Sequence, residues 1–539
     1  MPSRRHIHVV CLTLGLALLI AYGIHGRAQT PAASPRVIVQ ERGLPPIERG
    51  IIADLSRAPD SPETLRRLSI RRESATLDRV GASGTPYVPG RVIVKFRAGA
   101  SSASRVTALS SSSRTASLSE RPSYANFDIV RIDPNEDAEA VARALAQRPD
   151  VEYAQAAYRV RTQLVPNDKF YSMQWNLPLI DLERAWDIQP AAGSSITVAV
   201  LDTGVAYTSA TARFRASAFR DDRGVLYPAL GDLTLSFVAA TELGPSSRFV
   251  APHDFIWDDN TPLDLDGHGT HVSGTIGQLT NNGTNGTGDT INGGGAAGVA
   301  FNVKLMPVKV ISGDWDEIFG SPNQGTDEIV ARGIRYAADN GAKVLNMSIG
   351  RTGEPAPVVE DAIKYAVGKG AFVAIAAGNS FEDRNPTEVI AEIASRVPGA
   401  VSVAAVDQSK KHAYYSSTGS WVELAAPGGS FRGFPPSGGI LQQTLNLDLV
   451  DTFNLPPSRF TAPRFDALAY FYFIGTSQAT PHVAGVAAML MQQGITDPAA
   501  IEAALEKFAT DLGDPGRDST FGFGLIEARD TLRGLGLAK

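Results

Sequence analysis

At 539 residues the chain exceeds one ordinary domain, and its 43% apolar and 20% charged residues are those of a globular protein, not a fibrous or disordered one. The net charge of −6 is unevenly spread: residues 1–165 carry 23 Lys and Arg against 15 Asp and Glu, and the remainder 27 against 41. So acidic a C-terminal part argues against nucleic-acid binding, and a single cysteine, Cys11, excludes an internal disulfide.

Taken in chain order, Arg4 and Arg5 precede an apolar run from Val9 to Ile24, and Gly26-Arg27-Ala28 follows. That charged, apolar, small-residue order is the pattern of a secretory signal peptide over residues 1–28. An uncleaved anchor is the competing reading, because the apolar run approaches the length of a membrane span. Residues 29–87, rich in Arg, Pro and Ser without sustained periodicity, read as a linker or poorly ordered pro-segment. Alternation begins at Val88 and predicts a strand to Phe96. A Ser-rich stretch from Ser101 to Ser119 follows, then a strand at Phe127–Ile132, a helix at Ala138–Gln147 and a last strand from Asp150. The result is a small α+β unit over 88–161, in the order strand, strand, helix, strand.

From Ile196 onward, continuous apolar runs at Ile196–Leu201, Val303–Val310, Lys343–Ile349, Phe372–Ala377 and Val401–Val406 have the character of strands buried on both faces. Helical patterns lie between them at His268–Gln278, Asp327–Asn340 and Val358–Gly368, with Ser477–Gln492 after them. The alternation predicts an α/β domain with a doubly wound, mostly parallel sheet. Ligands of such sheets sit beyond the carboxyl ends of the strands, which puts Asp202 and Asn379 on the functional rim. Tyr207–Arg248 and Phe431–Ala469 read as insertions into this frame.

Three motifs carry chemistry. Gly475-Thr476-Ser477 sets a hydroxyl at the mouth of a small-residue helix, whose first N–H groups stabilise negative charge. A serine needs a base, and the base needs an orienting acid. Gly267-His268-Gly269 supplies an imidazole with open surroundings, and Val198–Leu201 runs straight into Asp202. Each has a bland alternative: Asp202 as a turn residue, or His268, His271 and Asp266 as zinc ligands without a further cluster. Leu201-Asp202-Thr203-Gly204 also fits an aspartic-protease motif, but its partner motif is missing. A degenerate homologue that binds peptides without cutting is the non-enzymatic reading.

The order Asp202, His268, Ser477 is that of subtilisin, and over residues 166–535 the chain resembles the subtilisin-like serine proteases. The resemblance implies a secreted serine endopeptidase, extracellular or periplasmic, acting on protein or peptide substrates without a catalytic cofactor. It assigns the oxyanion-stabilising carboxamide to Asn379. It also assigns substrate binding to Ser348, Ile349 and Gly350, by strand addition, and to Ala376, Ala377 and Gly378. Two departures stand out: Arg351 where a second glycine is usual, and Gln478 where methionine is common. The segment from His253 to Asp264 is similar to a calcium loop of heat-stable members, with Asp254, Asp259 and Thr261 matching best. Structural Ca2+ is therefore expected. The 88–161 unit resembles the inhibitory propeptide of such enzymes, so the chain's own N-terminal part becomes its intramolecular inhibitor. A monomer, with no membrane attachment once the signal is removed, completes the expectation.

Overall fold

The computed structural model describes residues 36–41, 53–54, 87–118, 121–122, 124–158, 164–221, 224–282 and 295–534. The signal-peptide expectation for residues 1–28 lies outside them. No helix among the described residues is long and apolar enough to cross a membrane. Among the described residues the chain divides into two compact units, 87–158 in the one and 36–54 with 164–534 in the other.

The smaller unit, 87–158, is a four-stranded antiparallel sheet in the order Ser117–Leu118, Asp128–Arg131, Tyr87–Phe96, Val151–Tyr158. Along the long strand Val92, Val94 and Phe96 are buried while Arg91 is exposed, the alternation of a sheet covered on one face. The Ala138–Ala146 helix covers that face with Val141, Ala142 and Leu145, and its N-cap, Asp137, accepts from the Glu139 N–H. The sequence-based order omitted two elements, both in the Ser-rich stretch: a helix, Ser102–Ser112, and the short strand Ser117–Leu118. The helix's signal is weak because five of its eleven residues are serines and only Ala108 and Leu109 are buried. Ser101 caps it, accepting from the Ser104 N–H at 3.1 Å. The unit is therefore strand–helix–strand–strand–helix–strand.

The larger unit is built on seven strands, all parallel, in the order His253–Asp254, Lys304–Lys309, Thr197–Asp202, Val344–Met347, Phe372–Ala376, Ala400–Val406, Leu424–Pro427. Each predicted strand is present within one or two residues. The first strand in the chain lies inside the sheet, with Lys304–Lys309 on one side and Val344–Met347 on the other. The winding direction reverses there, and the crevice of a doubly wound sheet opens at that reversal. Helices pair over the sheet: His268–Gly277 with Thr476–Gln492, and Asp327–Asp339 with Pro357–Gly368. Thr476–Gln492 is buried along nearly its whole length, which its Ala, Gly and Val content permits.

The two stretches read as insertions meet each other. Ala210–Ala216 pairs with Gly231–Phe237 as a hairpin, and Phe237 stacks on Phe465 at 4.8 Å. Phe219 stacks on Tyr227 at 4.9 Å, and Phe460 packs edge-on against both rings. The second stretch also opens a hairpin, Ile440–Leu445 with Leu468–Ile474, whose last residue leads directly into Gly475. Arg36–Glu41 and Ala53–Asp54, from the stretch read as linker, extend this sheet beside Leu468–Ile474.

Candidate functional site

Asp202 is the last residue of its strand and is 1% exposed. A carboxylate there needs partners. Its Oδ1 accepts from the Thr203 N–H at 2.8 Å and lies 2.7 Å from His268 Nδ1. Since a carboxylate only accepts, Nδ1 carries the proton and Nε2 is left as the basic nitrogen. The imidazole is 14% exposed, its outer edge open.

The turn holding His268 is tied down by a residue the sequence reading passed over. Asp264 is buried, and its Oδ1 accepts from Asp266 N, Gly267 N and Thr203 Oγ1, while its Oδ2 accepts from Thr270 N and Oγ1. Thr203, beside Asp202, accepts in turn from the Gly269 N–H at 3.0 Å. One buried carboxylate thus links the start of the histidine's helix to the end of the aspartate's strand. Its position in an Asp-Leu-Asp-Gly run looks like loop, which is why pattern alone did not single it out. Gly269 is required by space: a methyl on it would lie 2.1 Å from the Gly204 carbonyl oxygen and 3.1 Å from Asp202 Cβ. His271, the alternative zinc ligand, is buried, stacks on Phe473 at 4.1 Å and points Nε2 at the carbonyls of Ile440 and Phe471. Both acceptors are carbonyls, so that nitrogen is a donor and not a metal ligand.

Ser477 is the second residue of the Thr476–Gln492 helix, so its N–H has no intrahelical acceptor. Pro481, four residues on, has no N–H to give the Ser477 carbonyl. Ser348 fills that place, donating its Oγ–H to the Ser477 carbonyl at 2.8 Å, and Asn346 Nδ2 donates to Ser348 Oγ at 2.9 Å. The Ser477 hydroxyl itself donates to the Ser348 carbonyl at 3.2 Å. Asn379 follows a buried strand, and its Oδ1 accepts from Thr476 N at 2.8 Å and Thr476 Oγ1 at 2.9 Å. With the oxygen so engaged, the amide Nδ2 is left beside Gly475 and near the Ser477 N–H.

Of the expected substrate-binding residues, Ser348 is tied to the Ser477 backbone, Ile349 is half-buried and Gly350 is exposed. Ala376, Ala377 and Gly378 are buried, and Gly378 N donates to Thr476 Oγ1 at 3.2 Å. Arg351, the departure from the usual glycine, turns away: its Nε donates to Asp327 at 2.7 Å and its Nη1 to the Glu354 carbonyl at 2.7 Å.

The expected calcium loop closes largely on itself. Asp254 Oδ1 accepts from Ile256 N and Trp257 N, and Asp259 Oδ1 accepts from Thr261 N. Burial pushes Asp254 up to about 7, and the fully buried Lys309–Asp316 pair beside it supplies a cation of the protein's own. A second polar cluster lies at the start of the Asn/Gly/Thr-rich stretch 280–295, which the resemblance placed at a calcium-binding position of other members without assigning ligands. Glu242 Oε2 accepts from Gly295 N, Gln278 Nε2 and Asn282 Nδ2, and Asp168 Oδ2 accepts from Asn281 N. Asp168 Oδ1 and Asn282 Oδ1 are buried there without hydrogen-bond partners among the described residues, and burial pushes Asp168 up to about 6.

A model of the subtilase family matches residues 193–524, and one of the fervidolysin N-terminal prodomain matches residues 75–156. A thermophilic serine proteinase of Bacillus sp. (strain AK1) is 30% identical over 464 residues, 86% of this chain and 90% of its own. An extracellular protease of Xanthomonas campestris pv. campestris is 28% identical over 516 residues, 85% of this chain and 79% of its own. Among solved structures, proteases from Pseudoalteromonas arctica are 27% identical at a TM-score of 0.49, covering 70% of this chain and 100% of theirs.

Proposed function

The chain belongs to the subtilase family of serine proteases, and we propose that it is a secreted endopeptidase whose Asp202, His268 and Ser477 form the proton-transfer chain. Ser477 Oγ exchanges its Ser348 acceptor for His268 Nε2 and attacks the substrate carbonyl as the imidazole takes its proton. Asp202 stays ionised and stabilises the imidazolium through Nδ1. Asn379 Nδ2 and the Ser477 N–H donate to the oxyanion of the tetrahedral intermediate. His268 then protonates the leaving amine, and water hydrolyses the acyl-enzyme by the same steps reversed. The observation that carries this reading is the 2.7 Å His268–Asp202 contact at the sheet's reversal point.

Substrate backbone adds as a strand along Ser348–Gly350, a mode that reads main chain and so accepts many sequences. The prodomain match supports an intramolecular inhibitor ahead of the enzyme. We assign it to 88–161, with maturation between Arg159 and Pro166 yielding a monomeric peptidase of 166–535. Export is supported by the extracellular naming of the Xanthomonas relative and by the residue 1–28 pattern. For structural Ca2+, the Asp168, Glu242 and Asn282 oxygens fit a hard cation better than Asp254, Asp259 and Thr261, because two of them lack partners. A bound cation there would hold the chain around residue 282 to the start of the catalytic unit; it takes no part in the reaction.

The test is covalent labelling. A fluorophosphonate probe should modify the mature protein once, at Ser477, and leave Ser477→Ala unlabelled. Modification of another serine, or none on folded mature protein, would remove the proposed chemistry.

A further inference from the structure

The resemblance to subtilisin-like proteases places Gly350 and Gly378 along the pocket for the substrate side chain before the cut bond, and the two share a neighbour. A methyl on Gly350 would lie 3.1 Å from Glu388 Oε2, and one on Gly378 would lie 2.2 Å from Glu388 Cγ and 2.7 Å from its Oε1. Apart from Glu388, nothing lies within 4 Å of that methyl position on Gly350. The Glu388 side chain therefore packs against Gly378 and faces Gly350 across otherwise clear space.

Glu388 is held in this position by its backbone. It stands just before the Val389–Ala394 helix, without capping that helix by its side chain, and the Val389 N–H donates to the Arg351 carbonyl at 3.0 Å. That bond joins the start of the helix to the end of the Ser348–Gly350 stretch. The side chain is 5% exposed, yet its one hydrogen bond is a long contact from Ser380 Oγ at 3.4 Å. Among the described residues no Lys, Arg or His pairs with it, and the nearby Arg351 is committed to Asp327. Burial with so little compensation pushes the carboxyl up to about 7. A buried carboxylate without a counter-ion is costly, and the missing charge can arrive with a ligand.

We infer that Glu388 is the floor of this pocket and that the enzyme prefers lysine or arginine immediately before the scissile bond. The inference rests on the proposed reading of Gly350 and Gly378 as pocket walls. Glycine at 378 makes room for Glu388 itself, glycine at 350 leaves width for a long side chain, and the carboxylate meets an ammonium or guanidinium at the end of the slot. Leucine or phenylalanine would instead bury against an unpaired acid.

The experiment measures kcat/KM on peptide p-nitroanilides that differ only in the residue before the anilide: Arg, Lys, Leu, Phe and Glu. Wild type should favour Arg and Lys over Leu and Phe by at least about tenfold, and Glu388→Gln should reduce the Arg-to-Leu ratio by at least about tenfold. Benzamidine, a small amidinium, should inhibit the wild type competitively, a readout that holds even if the variant folds poorly. Best cleavage after Leu or Phe, or an Arg-to-Leu ratio indifferent to Glu388→Gln, would overturn the inference while leaving the protease reading intact. Cleavage of no anilide by protein that also fails to react with fluorophosphonate would overturn both.

Discussion

In the 87–158 unit the strand Tyr87–Phe96 alternates buried and half-exposed side chains, whereas in the larger unit every residue of Phe372–Ala376 and Ala400–Val406 is buried. A sheet covered on one face has polar positions all along its strands. A sheet covered on both faces has room for polar groups only where strands end. The larger unit therefore gathers Asp202, Asn346, Asn379 and the Ser477 turn at one rim, with helices meeting them there. The smaller unit has no such rim. Its core is 14 buried residues, so each large side chain carries a sizeable share of its stability.

If rim and scaffold are separable in the larger unit, Asn379→Ala should cut kcat by about 10²–10³ with KM nearly unchanged, because in the proposed mechanism only the transition state uses the Nδ2 donor. A matching loss of thermal stability would show instead that the amide's bonds to Thr476 dominate. For the smaller unit, Leu145→Ala should cost about 3 kcal/mol. Calorimetry of the precursor should then show one transition moving down while the other holds; a joint shift would mean the units unfold together.

Chelation probes the larger unit at Asp168 and Glu242. A cation present at a hundred times its Kd stabilises by about 2.7 kcal/mol, so EDTA should lower the Tm of mature enzyme and added Ca2+ restore it. Asp168→Asn should blunt that response, and an unchanged Tm with EDTA would count against the site.

The smallest effect concerns acid. His482 is fully buried, its Nδ1 2.8 Å from the Gln478 carbonyl and its Nε2 2.8 Å from Asn176 Nδ2, and burial pushes its pKa down from 6.5 to about 4. The folded state keeps the ring neutral where the unfolded chain protonates it. Stability from this group is thus complete above about pH 6.5 and is lost as pH falls toward 4. Between about pH 7 and 5 that is roughly 2 kcal/mol. Urea midpoints should fall less over this interval in His482→Gln than in wild type; equal slopes would contradict it.

Much of this frame is readable from residue order because parallel strands buried on both faces leave continuous apolar runs, and because the Asp202, His268 and Ser477 motifs are each local. What escaped depends on distance or on weak local signal. The Ser102–Ser112 helix lacks a broad apolar stripe. Asp264 serves five donors that only the folded turn brings together. Asp168 and Glu242 are remote in sequence, as are Tyr227 and the Leu455 carbonyl it reaches at 3.2 Å, so no window along the chain holds both partners. Glu388 precedes a short helix like any surface acid, and its burial against two glycines is purely tertiary.

Gly269 has a wider consequence. Because one more carbon there would strike the Gly204 carbonyl, main chain rests against main chain between the acid and the imidazole. Their separation is set by the polypeptide's thickness together with the one Asp264 side chain that ties turn to strand. Interior substitutions that spare Asp264 can accumulate over generations without detuning the proposed relay, whereas adding a single carbon at this contact should misalign it at once.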